Sequence, residues 1–409
     1  MNPLKQLMTV TFCFCCFAGG SQAGPIQQVL RSDAPQIRAV MDNPDAHEVQ
    51  ILFTEIVRGS DGQIELIEDE FEVADGRYHY PASTVKFPVA LLALERLLED
   101  PRIDRYSRFV VEGENVGTSV TNELIKLFVI SDNDAYNRLF EFLGKDDINS
   151  RLADKRLNAR ISHRLSVPES DALTTKSLYF SQETGAPIRV GPTVSRPIAI
   201  PDVAGLEKGI AYYENGSRIE APFDFSEKNF LPLRTLHAML TRLVLPERFT
   251  PAQRFSLSEA QRQFVLSIMQ RYPRETGFDP QEYPDGYGKF LILGDSVDPA
   301  PPHLKIANKS GWAYGYLTDT AYIRDTRSGR EFIISASIHV NANQTFNDDE
   351  YEYEELGVPF LAELGRALIT SERPAGGYFC PAACRPSCKA LRAPADKPES
   401  RPTVTNRKP

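Results

Sequence analysis

The chain has 409 residues, of which 42% are hydrophobic and 25% are charged. This is the composition of a soluble globular protein that is long enough to bury a full hydrophobic core. Its formal net charge of −9 gives no general attraction to nucleic acid or to an anionic membrane surface, so we expect neither as a partner.

The first 23 residues have the three-part pattern of a secretory signal peptide. Lys5 precedes a short apolar run, and small residues end the segment at Ala23. Because the run is too short to span a bilayer comfortably, we expect cleavage after Ala23 and a secreted or periplasmic protein without a stable membrane span. The alternative is an N-terminal membrane anchor.

Strand and helix patterns follow in the order strands, helices, strands, helix. The predicted strands are 47–57, 62–73, 304–312, 317–325 and 331–340, and the predicted helices are 83–99, 120–130, 134–143, 146–155, 233–245, 257–271 and 354–371. The helix at 83–99 is apolar almost all the way round, which is typical of a buried helix. The predicted fold class is α+β, an antiparallel sheet from both ends of the chain, flanked by helices, with an inserted all-helical domain.

These elements predict two domains. Residues 24–82 and 275–372 form the sheet domain, and residues 83–274 form the helical domain. Residues 174–230 are proline-rich and aperiodic, and we interpret them as an extended insertion, since loops of this length are usually functional or inserted. Residues 373–409 are predicted to be a disordered tail because their proline and charge content cannot bury a core.

Cysteine usage fits export. Three cysteines leave with the signal peptide, and Cys380, Cys384 and Cys388 remain in the tail. An odd number allows at most one internal disulfide, which we predict to be local, with metal binding as the alternative. No cysteine lies among the motifs described next, so a thiol nucleophile is not expected.

The first motif with chemistry is Ser83-Thr84-Val85-Lys86, at the start of the predicted helix. Residues three apart share a helical face, which brings the Lys86 amine beside the Ser83 hydroxyl. A lysine among apolar residues has a lowered pKa and can take the serine proton. The alternatives are a chance pair on a solvated helix, or His79 as the base.

Two further motifs stand later in the chain. S-D-N at 131–133 offers a hydroxyl to relay a proton and an amide to bind a carbonyl, although a helix N-cap would also explain it. K-S-G at 309–311 offers a cation for a carboxylate, and a glycine in a strand often marks the close approach of another backbone or a ligand. The alternative there is a strand end turning towards 313–316.

S-x-x-K, S-D-N and K-S-G in this order are the signature set of penicillin-recognising serine enzymes. The chain resembles the class A β-lactamase family and its relatives among the penicillin-binding proteins over about residues 30–370, excluding 174–230. "STVKF", "SDNDAYNRL" and "KSG" followed by "TDTAYI" extend the match. The resemblance implies a monomeric serine hydrolase without metal or cofactor, acting on a β-lactam or a peptidoglycan-derived peptide.

The resemblance also implies roles for residues of the first two motifs. Ser83 would be acylated, and Lys86 would accept its proton. Ser131 would pass a proton to the β-lactam nitrogen, and Asn133 would bind the side-chain amide of the substrate. The backbone N–H groups of Ser83 and Trp312 would form the oxyanion hole.

The K-S-G strand would hold the substrate carboxylate. Lys309 and Ser310 supply the first contacts, and Gly311 allows the close approach. The turn that follows is short, so the second carboxylate contact is open between Thr318 and the weaker candidate Arg324.

Release of the acyl group depends in this family on a glutamate in an Ω-loop of pattern R-L-x-x-x-E-x-x-L-N. Residues 164–174 are R-L-S-V-P-E-S-D-A-L-T, so we predict Glu169 as the base that activates the deacylating water. The leucine is one place late, and Thr174 replaces the asparagine. Asn137 matches the family's support for this loop. The alternative is that Glu169 is simply a loop carboxylate.

We therefore expect a β-lactamase of class A type. The alternatives are a D-Ala-D-Ala carboxypeptidase or an esterase that uses the same serine, and a non-catalytic binding protein on the same fold. No G-x-S-x-G elbow supports an α/β-hydrolase, and no H-E-x-x-H or paired-cysteine motif supports zinc chemistry.

Overall fold

The computed structural model describes residues 23–372. The predicted signal peptide, apart from Ala23, and the tail 373–409 with its three cysteines lie outside the described residues. Between residues 23 and 372, no helix is both long enough and apolar enough to cross a bilayer.

Helices and short strands alternate along this part of the chain. The α-helices are α1 (Pro25–Leu30), α2 (Pro35–Met41), α3 (Lys86–Leu97), α4 (Val120–Val129), α5 (Asn133–Leu143), α6 (Lys145–Asp154), α7 (Leu233–Val244), α8 (Glu259–Met269), the short irregular α9 (Phe290–Leu293) and α10 (Val358–Thr370). The strands are β1 (Gln50–Arg58), β2 (Ile64–Phe71), β3 (Arg108–Val111), β4 (Thr118–Ser119), β5 (Leu178–Phe180), β6 (Ile188–Val190), β7 (Glu207–Lys208), β8 (Ala211–Glu214), β9 (Ser217–Ile219), β10 (Phe223–Asp224), β11 (Leu304–Ala313), β12 (Tyr316–Asp325), β13 (Glu331–His339) and β14 (Thr345–Phe346).

A five-stranded antiparallel sheet contains strands from both ends of the described chain, in the order β11-β12-β13-β1-β2. The two ends meet where β1 pairs with β13, with Gln50 opposite Ser337 and Ile56 opposite Glu331. The predicted fold class is confirmed by this sheet and its flanking helices. Strand β11, which carries K-S-G, lies at one edge of the sheet.

Helices cover both faces of the sheet. On one face α10 packs with α1, α2 and α9 over an apolar cluster that includes Ile51, Phe53 and Ile334. On the other face α7 packs against β1, β12 and β13, and its core continues into α3, α4, α5 and α8. The edge strand β11 contacts the chain just before α3, so the two layers meet at the motifs.

The predicted helix 83–99 is divided into two parts. A 3-10 helix spans Ala82–Val85, and α3 then begins at Lys86. Pro88 is the third residue of α3, where a missing N–H costs no intrahelical hydrogen bond. All residues of α3 except Arg96 are buried, so the prediction of a buried helix is confirmed.

The 174–230 segment forms short strands that attach to the body of the protein. β5 pairs with β3, and β8 pairs with β14. Phe223 and Phe225 of this segment join a third apolar cluster with Tyr80, Tyr314 and Phe346. Tyr80 lies three residues before Ser83 in sequence, so the segment packs against the chain that leads into the first motif.

Candidate active site

Ser83 lies in the 3-10 helix directly before α3, a geometry in which side chains three residues apart eclipse one another. The Lys86 Nζ donates a hydrogen bond to Ser83 Oγ at 2.9 Å. Ser83 is partly exposed, whereas Lys86 is fully buried. The motif therefore presents an accessible hydroxyl above a buried amine.

The S-D-N motif lies against the same amine. Lys86 Nζ donates to Asn133 Oδ1 at 2.6 Å and to the backbone oxygen of Ser131, and it lies 3.2 Å from Ser131 Oγ. Ser131 has a φ of 57°, which is uncommon for a residue other than glycine. Asp132 accepts a hydrogen bond from the Ala135 N–H at 2.7 Å and caps α5. The motif thus caps a helix and also contacts the buried lysine.

The K-S-G strand completes the cluster from the side of the sheet. Lys309 Nζ donates to Ser131 Oγ at 2.9 Å and to its neighbour's carbonyl, Ser310 O, at 2.5 Å. Ser310 Oγ donates to the Gly288 carbonyl at 2.6 Å. The Ser131 hydroxyl consequently lies between the amines of Lys86 and Lys309.

Burial and the repulsion of a second lysine weaken the affinity of each amine for protons, with Lys309 acting on Lys86 and Lys289 acting on Lys309. Burial lowers the pKa of Lys86 well below its usual range, Lys309 lowers it further, and Asp132 opposes the shift. Burial also lowers the pKa of Lys309 to about 7, against the attraction of Asp319. The lowered pKa of Lys86 favours the neutral amine, which is the form that can act as a base.

Gly311 lies where β11 approaches the 3-10 helix. A Cβ at this position would lie 2.5 Å from the Ser83 backbone nitrogen and 2.9 Å from that of Thr84, so only glycine fits without displacement of one backbone. Next in the strand, Trp312 is partly exposed and packs edge-on against Tyr287. The glycine thus sets the distance between β11 and Ser83.

The 164–174 loop is held at its start. Asn137 Nδ2 donates to the Leu165 carbonyl at 2.9 Å, and the Leu165 N–H donates to Asn137 Oδ1 at 2.8 Å. Arg164 forms a buried ion pair with Glu141 at 2.5 Å. The Glu169 side chain is exposed, and within residues 23–372 it makes no hydrogen bond or ion pair. Its role in deacylation stays a prediction.

The two candidates for the second carboxylate contact lie at different points of β12. Thr318 pairs with Gly311, but it is fully buried and its hydroxyl lies 2.9 Å from Ser337 Oγ. Arg324 is exposed near the far end of β12. Neither placement supports direct contact with a substrate at Lys309, and both roles stay predictions.

His79 is buried before the 3-10 helix. Its Nε2 has no hydrogen-bond partner within the described residues, and burial lowers the pKa of its ring to about 4. The alternative of a Ser–His pair therefore gains no support from its position.

Sequence reasoning missed a buried cluster behind β11. Lys289 Nζ donates to backbone carbonyls of α8 and β11 at 3.0 Å each and to Asn308 Oδ1 at 2.8 Å. Asn308 Nδ2 in turn donates to the Gly288 carbonyl at 2.7 Å and to Asp319 at 2.9 Å. The Gly288 carbonyl also receives the Ser310 hydroxyl. Lys289 lies outside every predicted element, so no local pattern related it to Asn308 and Asp319 on the predicted strands.

A comparison with models of known protein families shows the family of the chain. Residues 34–369 match the model of the beta-lactamase enzyme family. Since the match covers most of the chain, the protein belongs to that family. A comparison with curated protein sequences gave no match.

Solved structures that are similar to this chain include the following three. The complex of L2 with relebactam shares 15% identity at a TM-score of 0.48, covering 84% of this chain and 97% of that one. A beta-lactamase from Sphaerobacter thermophilus DSM 20745 shares 15% identity at 0.46, covering 84% and 95%. PBP-A shares 16% identity at 0.45, covering 85% and 96%.

Proposed function

We propose that the protein is an exported serine hydrolase that opens the β-lactam ring through an acyl-Ser83 intermediate. One observation carries this proposal: Ser83, Lys86, Ser131 and Lys309 form one continuous hydrogen-bonded set. The set contains a nucleophile, a base, a proton relay and a cation, which are the groups that acyl transfer from a lactam requires.

In the proposed acylation, protons pass from Ser83 to Lys86 and from Lys86 to Ser131. Neutral Lys86 takes the proton of Ser83 Oγ as that oxygen bonds to the lactam carbonyl carbon. When the carbon–nitrogen bond breaks, the Ser131 hydroxyl gives its proton to the nitrogen and receives one from Lys86. The backbone N–H groups of Ser83 and Trp312 are the proposed donors to the oxyanion, each contributing about 2.7–4 kcal/mol to the transition state.

The proposed substrate binds at both ends of this set. Lys309 and Ser310 would hold its carboxylate, because a buried cation and a hydroxyl suit that anion. Asn133 would bind the amide carbonyl of its acyl side chain. The substrate class is therefore a β-lactam that carries a carboxylate.

A second candidate function is lasting acylation, as expected for a penicillin-binding carboxypeptidase. The exposed Glu169 side chain favours this candidate, because a deacylating base needs to reach a water beside the acyl group. The proposal that Glu169 activates this water requires its carboxylate to reach a water beside the acyl group.

The time course of intact mass with benzylpenicillin tests these proposals, using the chain from residue 24 onward. A transient adduct with continuing turnover supports the hydrolase, and a lasting adduct supports the second candidate. Ser83→Ala is expected to form no adduct. Absence of any adduct with the unmodified protein would contradict both candidates and favour a non-catalytic role.

Glu169→Gln separates the two fates of the acyl group. If Glu169 is the base, this variant acylates at the normal rate and the adduct accumulates. Unchanged release would remove Glu169 from the mechanism.

A further inference from the structure

The 164–174 loop approaches the catalytic cluster through Ser166 rather than through its carboxylates. Asn133 Nδ2 donates a hydrogen bond to Ser166 Oγ at 3.0 Å. The other end of the same amide, Asn133 Oδ1, accepts the hydrogen bond from Lys86 Nζ at 2.6 Å. A single amide group therefore joins the loop to the buried lysine.

Contacts made by the two preceding residues hold the backbone at Ser166 in place. The preceding residue, Leu165, is held at both its N–H and its carbonyl by the side chain of Asn137. Arg164 is held by its ion pair with Glu141 and donates to the Ala172 carbonyl at 3.0 Å. Ser166 follows directly with a φ of 54°, a conformation that persists in a non-glycine residue when its surroundings enforce it.

The hydrogen-bonding capacity of Asn133 shows what this contact leaves free. An asparagine side chain has one carbonyl oxygen and two N–H donors. Lys86 occupies the oxygen and Ser166 accepts from one N–H. Within residues 23–372 no other group accepts from Nδ2, so the second N–H is available to a ligand.

We propose that Ser166 is a positioning residue that orients the Asn133 amide to receive the acylamide carbonyl of the substrate. This inference rests on the proposed function and deepens it, because it assigns the site a preference for β-lactams with an acylamide side chain. With the oxygen held by Lys86 and one N–H held by Ser166, the amide plane is fixed before the substrate arrives. A preorganised donor costs less to use than one that must first turn.

The test compares two β-lactams that differ in this group. Benzylpenicillin carries the acylamide, and 6-aminopenicillanic acid does not. We expect Ser166→Ala to lower the acylation rate constant for benzylpenicillin about fivefold, the size of one hydrogen bond, and to leave that for 6-aminopenicillanic acid unchanged. Ser170→Ala is the matched control on the same loop, since its hydroxyl makes no hydrogen bond within the described residues.

Two further variants separate positioning from a general effect on folding. Ser166→Asn keeps an acceptor oxygen and tolerates a positive φ, so we expect it to retain the preference for benzylpenicillin. In an Asn133→Ala background, Ser166→Ala should cause no additional loss. Equal losses for both β-lactams, no loss for either, or additive losses in the double variant would overturn the proposal.

The experiment also distinguishes the two levels of inference. If the unmodified protein is acylated by neither β-lactam, the proposed function fails and the role of Ser166 fails with it. If the unmodified protein is acylated but the preference does not depend on Ser166, only the positioning role is wrong.

Discussion

The Ser131 hydroxyl lies between two lysine amines that have opposite tasks in the proposed reaction. Lys86 must be neutral to accept a proton, and Lys309 must be charged to hold a carboxylate. Burial lowers the pKa of both amines. Repulsion from Lys309 lowers the pKa of Lys86 further, and repulsion from Lys289 lowers that of Lys309 further. The Asp319 carboxylate opposes the shift at Lys309, because its negative charge favours the protonated amine.

This arrangement predicts a bell-shaped pH dependence of acylation. The rate should rise with pH through the lowered pKa of Lys86, since only the neutral amine is a base. It should fall above the Lys309 pKa of about 7, since the neutral amine no longer attracts the carboxylate. Stopped-flow acylation between about pH 5 and 9 measures both limbs.

The Lys309→Arg variant tests the alkaline limb. The decline in rate at high pH should disappear in this variant, because arginine stays charged. If the decline persists, the alkaline limb arises from the titration of another group.

A second prediction at the residue scale concerns Gly311→Ala. The added Cβ would press on the Ser83 backbone nitrogen and displace β11 from the 3-10 helix. We expect acylation to fall about a hundredfold or more, the effect of losing an oxyanion donor. Gly76→Ala is the control, because a Cβ at Gly76 meets no atom within 4 Å. Comparable acylation by Gly311→Ala and the control would contradict the close approach.

At the scale of elements, β11 is an edge strand with a buried polar support. Lys289 ties β11 to α8, and Asn308 ties it to Asp319 on β12. The same asparagine holds the Gly288 carbonyl that receives the Ser310 hydroxyl. An edge strand has one strand neighbour rather than two, and these side-chain contacts add links from β11 to α8 and to β12.

Lys289→Met tests this support. It leaves three buried acceptors without their donor, which we expect to lower the free energy of unfolding by about 1–3 kcal/mol. Urea unfolding measures the change in the free energy of unfolding. Lys305→Met is the control, because Lys305 is an exposed residue of β11. Equal stability of the two variants would show that Lys289 contributes little.

At the scale of the whole molecule, the 174–230 segment is part of the folded body. Phe225 has no exposed surface and contacts Tyr80, Tyr314 and Phe346. The aromatic cluster thus connects the segment to the chain before Ser83 and to the turn after β11. We therefore expect the segment to stabilise the parts of the chain that flank Ser83 and β11.

Phe225→Ala should therefore destabilise the entire protein. We expect a loss of about 3–5 kcal/mol in the free energy of unfolding, typical for removal of a buried aromatic side chain. Tyr213→Ala in the same segment is the control, because Tyr213 is 37% exposed. The expected result is a single unfolding transition with its midpoint at a lower denaturant concentration. An unchanged midpoint would mean that the segment does not contribute to the stability of the rest of the protein.

Local pattern was sufficient for the long strands of the central sheet and for several helices. The strands predicted at 304–312, 317–325 and 331–340 match β11, β12 and β13 to within one residue at each end, because buried strands have continuous β-branched and apolar runs. The helices predicted at 120–130, 134–143 and 233–245 match equally well. Local pattern failed at 83–99, where a 3-10 helix precedes the α-helix, since both geometries place residues three apart on one side.

The motifs and their order indicated the family, and the S-x-x-K spacing predicted the contact between Lys86 and Ser83, because any helical turn brings residues three apart together. Only the tertiary structure decided what surrounds that contact. Asn133 and Ser166, and likewise Lys289 and Asn308, lie far enough apart in sequence that no periodicity relates them. The exposed position of Glu169 is equally a property of the folded loop. Spacing along the chain specifies neighbours within a turn, whereas contacts between separate elements depend on how those elements pack.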